Sequence, residues 1–498
     1  MNFNQRVTAA GALLLTLFAA CRDGGVQRDW AGIQQRDTLV VLTAFNSTSY
    51  FIYRGEPMGF EYELLREFAR ANDLQFRAQV MHEQADLLGG LRQGDGDLIA
   101  ARVIPTAGLE RRFAFTQSLY STRPAIVQRT GPPSEAGLPV AAERLLSWPD
   151  RPGGEPVELR ARPITSPAEL AGAEVRVVAR SPYRAVLAEL SDTITGDIEI
   201  IEVERDSATE TLVRQVSRGE IDLAVSQENL AMLKQSYFQN VEVTPAVGPT
   251  HPIAWVVRRS SPELRERLDQ WLAEKAGDGT VEQLYRKYFI DRRGYRERVE
   301  SDYLTSATGR LSAYDQLFQR YAPRVGWDWR LLAAQAYQES RFDPTARSWA
   351  GAQGILQLMP GTARGLRVRN VNDPEQNVDG AVRFIQQLNT RWIELIADST
   401  ERLKFVLASY NTGPGHVYDA QRLAEKHGGD PTRWDDVAFW LLQKSKRSVY
   451  TDPVVRYGFS RGLEPVLYVQ KILERFEHYR EFVPVQPAAA GAGARSRL

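Results

Sequence analysis

One cysteine among 498 residues excludes any disulfide framework within the chain. Histidine is scarce as well, at five, and no cluster of His, Cys and carboxylate has metal-ligand spacing, so a zinc site is not expected. An excess of charge is also missing. Lys plus Arg and Asp plus Glu each total 62, which leaves a formal net charge of zero and no global reason to expect nucleic acid as a partner. Beyond the amino terminus no apolar run is long enough to span a bilayer. No segment of about 20–50 residues recurs at a fixed period, which excludes a solenoid. What remains is an ordinary globular composition, 43% hydrophobic and 25% charged. At roughly 100–200 residues per domain, the length allows about three domains.

The first twenty residues, MNFNQRVTAAGALLLTLFAA, place Arg6 ahead of an apolar run from Val7 to Ala20. That pattern predicts a signal peptide rather than a membrane span. The one cysteine, Cys21, follows directly. Leu17-Phe18-Ala19-Ala20-Cys21 resembles a bacterial lipobox, with Phe18 where Leu is usual. The resemblance implies cleavage before Cys21, acylation of Cys21 and a short linker over 21–36. Arg22 in place of Asp implies sorting to the outer membrane, so the expected location is its periplasmic face, as a lipoprotein.

From Asp37 the pattern alternates. TLVVLTAF is a β-rich run, Glu61 to Asn72 is an amphipathic helix with Leu64, Leu65, Phe68 and Ala69 on one face, and LQFRAQVM is a second strand. Ala85 to Gln93 predicts a helix, and a GDGD turn leads into the strand LIAARVI. Such alternation implies an α/β unit with a largely parallel sheet. A second unit starts near Ser166, after a Pro-, Gly- and Glu-rich stretch over 130–163 that reads as an insertion. Two tandem α/β lobes imply a hinged cleft that closes on a small polar ligand. After Arg293 the signal turns helical throughout, with helices expected over Ala313–Arg324, Trp329–Phe342, Val378–Asp398 and Glu401–Tyr410. The small-residue tail over 481–498 is expected to be disordered.

GDGDLIAARVIPT…LERRFAFTQSLY and DGTVEQLYRKYF resemble the first-lobe signature and closing helix of periplasmic solute-binding proteins of the polar amino acid type, family 3. The similarity covers roughly residues 37–290. It implies that a Thr and an Arg hold a ligand carboxylate. Thr106 and Arg111 match those positions, and Arg112 competes because the spacing to Phe115 is two residues shorter than usual. The acidic residue expected for the ligand amine is replaced by Gln227, which suits a ligand with a blocked amine, such as a peptidoglycan fragment. Arg111 and Arg112 also fit a solvated surface pair.

In the helical half Trp329, Leu332, Ala333, Ala336 and Tyr337 form one apolar stripe, with Glu339 at its edge. Asp343-Pro344 ends the helix soon after. A carboxyl at a helix C-terminus and half against apolar surface is disfavoured in its charged form. A Glu kept protonated near neutral pH is what a general acid for glycosidic cleavage requires. Taken alone, such a Glu is more often a solvated charge. Downstream, Ser348 to Pro360 is a Gly-punctuated apolar loop in which Gln357 could offer its amide to a sugar. Ser409 to Gly415 ends another helix at a Gly-Pro-Gly turn, where Asn411 could simply serve as a cap.

Glu339-Ser340, Gly354-Ile355-Leu356-Gln357-Leu358-Met359-Pro360 and Ser409-Tyr410-Asn411 together resemble the catalytic domain of soluble lytic transglycosylases, over roughly residues 313–475. Glu464 to Val469 resembles a late Tyr-Val segment of that family. The resemblance implies an all-α, goose-lysozyme-like fold, with Glu339 as catalytic acid and base. Ser340, Gln357, Tyr410, Asn411 and Tyr468 would line the sugar cleft. The expected fold class is thus a two-lobed periplasmic-binding-protein-like α/β domain over 37–290, a linker over 291–312 and an all-α domain over 313–480. The order of parts is similar to that of membrane-bound lytic murein transglycosylases. The implied reaction cleaves between MurNAc and GlcNAc of peptidoglycan and leaves a 1,6-anhydro end, with no metal or organic cofactor. The alternatives are a hydrolytic muramidase, or a receptor for amino acids or muropeptides that only grips the wall.

Overall fold

The computed structural model describes residues 29–81, 84–131, 162–179, 181–203, 209–236 and 238–483. The expected signal peptide, Cys21, nearly all of the expected insertion and most of the tail lie outside them. The chain divides into two compact units, one holding the α/β segments up to Glu297 and the other running from Arg298 onward. The short segment Phe51–Pro57 groups with the second unit, although its neighbours in sequence belong to the first.

The strands in chain order are β1 (Thr38–Thr43), β2 (Phe51–Tyr53), β3 (Glu56–Met58), β4 (Gln75–Val80), β5 (Leu98–Val103), β6 (Phe113–Phe115), β7 (Tyr120–Thr122), β8 (Pro124–Arg129), β9 (Glu174–Val178), β10 (Glu199–Val203), β11 (Leu223–Gln227), β12 (Val241–Ala246) and β13 (His251–Arg258). One sheet has the order β4-β1-β5-β13-β6, with β7 also on β13; the other has β10-β9-β11-β8-β12. Helical crossovers make β1 parallel to β4 and β5, and β9 parallel to β10 and β11. The sheets are mixed rather than largely parallel, because β13 and β8 enter them antiparallel. Both are apolar runs buried along most of their length. They also mark the two places where the chain passes between lobes, after Thr122 and again between Ala246 and His251.

The helix Phe60–Ala71 buries Leu64, Leu65, Phe68 and Ala69, the face its periodicity requires. In the first lobe Leu42, Leu87, Leu91, Ile99 and Val256 close the core between sheet and helix. Each such side chain contributes roughly 1.5–3 kcal/mol when fully buried.

Among its described residues the second unit holds helices and the hairpin of β2 and β3. Its principal helices are Asp315–Tyr321, Trp329–Ser340, Pro374–Ile393, Ser399–Thr412, Pro414–Lys426, Trp434–Gln443 and Leu463–Phe482. Aspartates start three of them. Asp328 accepts from Arg330 N, Asp373 from Gln376 N and Asp398 from Thr400 and Glu401 N. The Trp329–Ser340 helix is buried from Trp329 to Tyr337. Ala333, Ala334 and Ala336 let neighbouring helices approach closely, and Ile355, Ile385, Trp392, Phe405, Leu407 and Ile472 complete the core. The helices Pro414–Lys426, Trp434–Gln443 and the full extent of Leu463–Phe482 were not among those expected from periodicity.

Among the described residues no helix is long and apolar enough to cross a membrane.

Candidate functional site

Glu339 lies in the last turn of the Trp329–Ser340 helix, as its edge position on the stripe requires. Arg341 ends the helix in the left-handed region at φ 55°, and its N–H bonds back to Tyr337 O at 2.8 Å. Tyr468, on the Leu463–Phe482 helix, donates its hydroxyl to Glu339 Oε1 at 2.5 Å. Burial pushes the Glu339 carboxyl up to about 8, and the Tyr468 hydrogen bond opposes that rise. The carboxyl is therefore protonated at neutral pH. Tyr468 is held in turn by Gln335 Nε2 at 3.1 Å. Burial and the neighbouring Glu339 push the hydroxyls of both Tyr468 and Tyr410 well above the usual phenol range, so both are protonated.

The loop before Pro360 is built against this helix. Ser340 Oγ donates to Ile355 O at 2.8 Å, and Tyr410 Oη donates to Leu356 O at 2.7 Å. Asn377, fully buried, accepts from Leu356 N at 2.9 Å and donates to Gln353 O and Val371 O. Gly354 sits at φ 83°, and a Cβ there would lie 2.1 Å from Asn377 Nδ2 and from Val371 O. This glycine is required by protein packing, not by the approach of a ligand. Gln357, at φ 47°, donates its amide to Ala346 O and Gly354 O at 2.9 and 2.8 Å. Its N–H groups are thus spent on the loop, and its carbonyl oxygen is the part it can offer outward.

Tyr410 packs on Phe384 with ring centroids 5.3 Å apart. Its helix is fixed by Trp392 Nε1, which donates to Ser409 Oγ at 2.9 Å. Asn411 is half-buried in the last turn of the same helix. Asp343, the acid nearest to Glu339 in sequence, is exposed and accepts from Thr345 N and Oγ1 at 2.8 and 2.7 Å. Those bonds hold it below the usual carboxylate range, as a turn-former rather than a partner of Glu339. Glu339 and Tyr468 are thus bonded to each other, while Ser340, Gln357 and Tyr410 are each bonded to carbonyls of the 346–356 loop. Sequence reasoning missed Gln335 and Asn377. Nothing local marks them, because a polar side chain on a helix reads as solvent-facing until the groups it satisfies are known.

The first unit has its own polar cluster. Gln227 is buried at the end of β11, and its side chain lies against the hydroxyl of Tyr183, at the start of a helix. Tyr120, on β7, has a buried hydroxyl without a hydrogen-bond partner. Arg102, on β5 at φ 54°, interacts electrostatically with Glu61, Tyr120, Tyr183 and Lys234. Burial raises the carboxyl of Glu61, whose Oε1 accepts from Arg102 N at 3.1 Å. Burial pushes the Lys234 ammonium well down. Arg102 and Gln227 stand at or near the carboxyl ends of β5 and β11, where open α/β sheets place their ligands. Thr106 caps the short helix Ala107–Glu110 by accepting from Leu109 N at 3.4 Å. Arg111 and Arg112 are exposed, the latter 5.5 Å from the Phe113 ring centroid, and no hydrogen bond or ion pair joins either to Gln227. Arg102 escaped the sequence reading, although a cation inside a buried strand was its signal.

Among the described residues no group of three His, Cys, Asp or Glu side chains could hold a metal ion. Residues 38–291 match the family of bacterial extracellular solute-binding proteins, family 3, and residues 316–431 match the transglycosylase SLT domain. A membrane-bound lytic murein transglycosylase F of Desulfosudis oleivorans is 32% identical over 454 residues, covering 89% of this chain and 90% of the relative. One from Stutzerimonas stutzeri is 30% identical, covering 89% and 85%. Among solved structures, an ArgBP mutant from T. maritima covers 52% of this chain and 99% of its own, at 19% identity and a TM-score of 0.40. With a family 3 solute-binding unit ahead of a transglycosylase unit, and with relatives matched nearly end to end, the chain belongs to the membrane-bound lytic murein transglycosylase F family.

Proposed function

We propose that Glu339 is both acid and base in a reaction that cuts the β-1,4 bond between MurNAc and GlcNAc of peptidoglycan and closes a 1,6-anhydro ring on MurNAc. Membership of the family makes the chain a lyase-class enzyme that acts on peptidoglycan. The observation that carries the mechanism is a single buried carboxyl, pushed up to about 8, with one hydroxyl on it.

Hydrolytic glycosidases generally place a second carboxylate to activate water or attack the sugar. The acid nearest in sequence, Asp343, is bonded to Thr345 instead. Protonated Glu339 gives its proton to the oxygen leaving MurNAc C1, and the substrate's N-acetyl group supports the developing positive charge. Ionised Glu339, stabilised by the Tyr468 hydroxyl, then takes the proton from the C6 hydroxyl. O6 closes on C1, so no water is consumed and Glu339 ends protonated again. Ser340 and Tyr410 brace the loop carbonyls and Tyr468 backs Glu339, which leaves Asn411 and the Gln357 oxygen to face the sugars. Digestion of sacculi by Glu339→Gln tests this reading. Loss of anhydro-muropeptides with folding intact supports it, and retained release contradicts it.

The solute-binding unit serves as a sensor that tunes this activity. Its cluster offers the Arg102 cation, a Glu61 held toward neutrality and a neutral Gln227. That set favours a carboxylate-bearing ligand whose amine is blocked, such as a peptidoglycan fragment, over a free amino acid. Calorimetry with muropeptides and with amino acids, on Arg102→Ala beside Arg111→Ala, separates the two candidate cations. Muropeptide heat lost only in Arg102→Ala supports the cluster, and loss only in Arg111→Ala contradicts it. The chain is anchored at the periplasmic face of the outer membrane through acylated Cys21, several acyl chains contributing about 0.8 kcal/mol per buried CH₂. Unchanged membrane association of Cys21→Ser would refute that placement.

A further inference from the structure

By sequence, residues 51–57 sit between a strand and a helix of the solute-binding unit, yet they fold into the core of the helical unit. β2 and β3 are joined by Arg54 and Gly55 at φ 50° and 78°, a two-residue loop of the type that matches strand twist. Ile52 is fully buried in the same core as Leu311, Phe318 and Leu332. The hairpin is fastened along one side to the chain after Arg298, where Arg54 N donates to Tyr303 O at 2.9 Å and Tyr53 bridges Leu304.

Its tip reaches the two helices that carry Glu339 and Tyr468. Tyr337, two residues before Glu339, donates its hydroxyl to Glu56 Oε2 at 3.0 Å. Tyr479, eleven residues beyond Tyr468 on the Leu463–Phe482 helix, donates to Gly55 O at 2.5 Å. The tip is closely fitted, because a Cβ on Gly55 would lie 2.6 Å from the Phe342 ring, 2.7 Å from Tyr479 Oη and 3.0 Å from the Tyr337 ring. Arg475 on the second helix covers the Tyr337 ring at 4.1 Å. One turn therefore holds both helices at once.

We propose that the 51–57 hairpin is a positioning element of the catalytic unit, which sets the Trp329–Ser340 helix against the Leu463–Phe482 helix and thereby the Tyr468–Glu339 hydrogen bond. Glu56 and Gly55 act through Tyr337 and Tyr479 and touch no substrate. The proposal rests on Glu339 as the acid and base. It has a practical corollary: a catalytic fragment cut near residue 313 lacks Ile52 and Glu56, so its turnover does not report the intact unit.

The test uses the full chain, with Glu56→Ala, Tyr337→Phe, their double variant and Glu56→Gln digesting sacculi across a pH series. Misplacement of reacting groups by a fraction of an ångström predicts a fall in kcat of about tenfold for each single variant. The double variant falls no further than either single, because both break the same hydrogen bond. Glu56→Gln keeps an acceptor for Tyr337 and recovers most of the loss. The basic limb of the profile also moves, since the groups facing Glu339 are Tyr468 and Tyr410, and the hairpin governs the first. A merely structural role predicts a fall in kcat that tracks the folded fraction with the limb in place. That result, or unaltered kcat and limb, overturns the proposal. Glu339→Gln, run alongside, separates the failures. If it is inactive while the hairpin variants behave as wild type, only the positioning role fails. If it is active, the assignment of Glu339 fails and the positioning role falls with it.

Discussion

Replacing Glu339 by Gln should stabilise the protein at neutral pH and leave it little changed in acid. The carboxyl stands at about 8 in the folded chain against an ordinary 4.5. Each unit of displacement is worth about 1.4 kcal/mol between the two protonation states. At pH 7 the unfolded chain gains from ionising this group while the folded chain cannot. The full displacement between 4.5 and 7 would amount to about 3 kcal/mol, and solvent access to the half-buried side chain brings the expectation to about 1–3 kcal/mol. The sign follows from a raised folded value. The stability contributed by the protonated form is complete below about pH 4.5 and is lost as the pH rises to about 8. Gln carries no such dependence and can still accept the Tyr468 hydrogen bond. Calorimetric unfolding of both full chains between pH 4.5 and 8 measures the difference. A gap that widens through this window in favour of Glu339→Gln is expected. A gap that stays constant with pH would refute the buried, neutral carboxyl.

Three further outcomes are expected. The wild-type pH–rate profile holds to about pH 8 and falls beyond it, and Tyr468→Phe, which removes the bond that opposes the effect of burial, moves that limb to higher pH with a lower kcat. Gly354→Ala introduces both a clash with Asn377 and Val371 and an unfavourable positive φ, so thermal unfolding should show a loss on the order of 2–4 kcal/mol. Asp419, buried at 2.6 Å from the buried Lys444 ammonium and bonded to the N–H groups of Arg456 and Tyr457, is the fourth case. Asp419→Ala leaves that cation uncompensated and should cost about 3–5 kcal/mol in denaturant titrations, whereas Asp419→Ala with Lys444→Met should recover part of it.

Much of this arrangement is legible in the residues. β-rich runs bounded by turns and 3.6-residue stripes place β1, β4, β5 and the helices at Phe60 and Trp329. A Glu on the edge of an apolar stripe just before a Pro-terminated end places the carboxyl. The remainder depends on information that local pattern does not carry. β2 and β3 are three residues long, too short for any periodicity, and the unit they join is decided by where Ile52 finds a core. The antiparallel entry of β8 and β13 is a long-range pairing, and apolar runs read the same in either direction. Gln335 and Asn377 look like surface residues until the buried groups they satisfy are known. Arg102 is a cation inside a strand, and a resemblance that points to Arg111 and Arg112 carries no information about it. Gly354 shows the same limit, because the atoms that require a glycine there, Asn377 Nδ2 and Val371 O, come from a segment distant in sequence.

The most direct measurement is the digestion of sacculi in ¹⁸O-enriched water, with mass spectrometry of the newly formed glycan ends. Ring closure on a single carboxyl predicts ends that are one water lighter than reducing sugars and carry no label. Labelled reducing ends, formed at a rate that matches bond cleavage, would contradict the account.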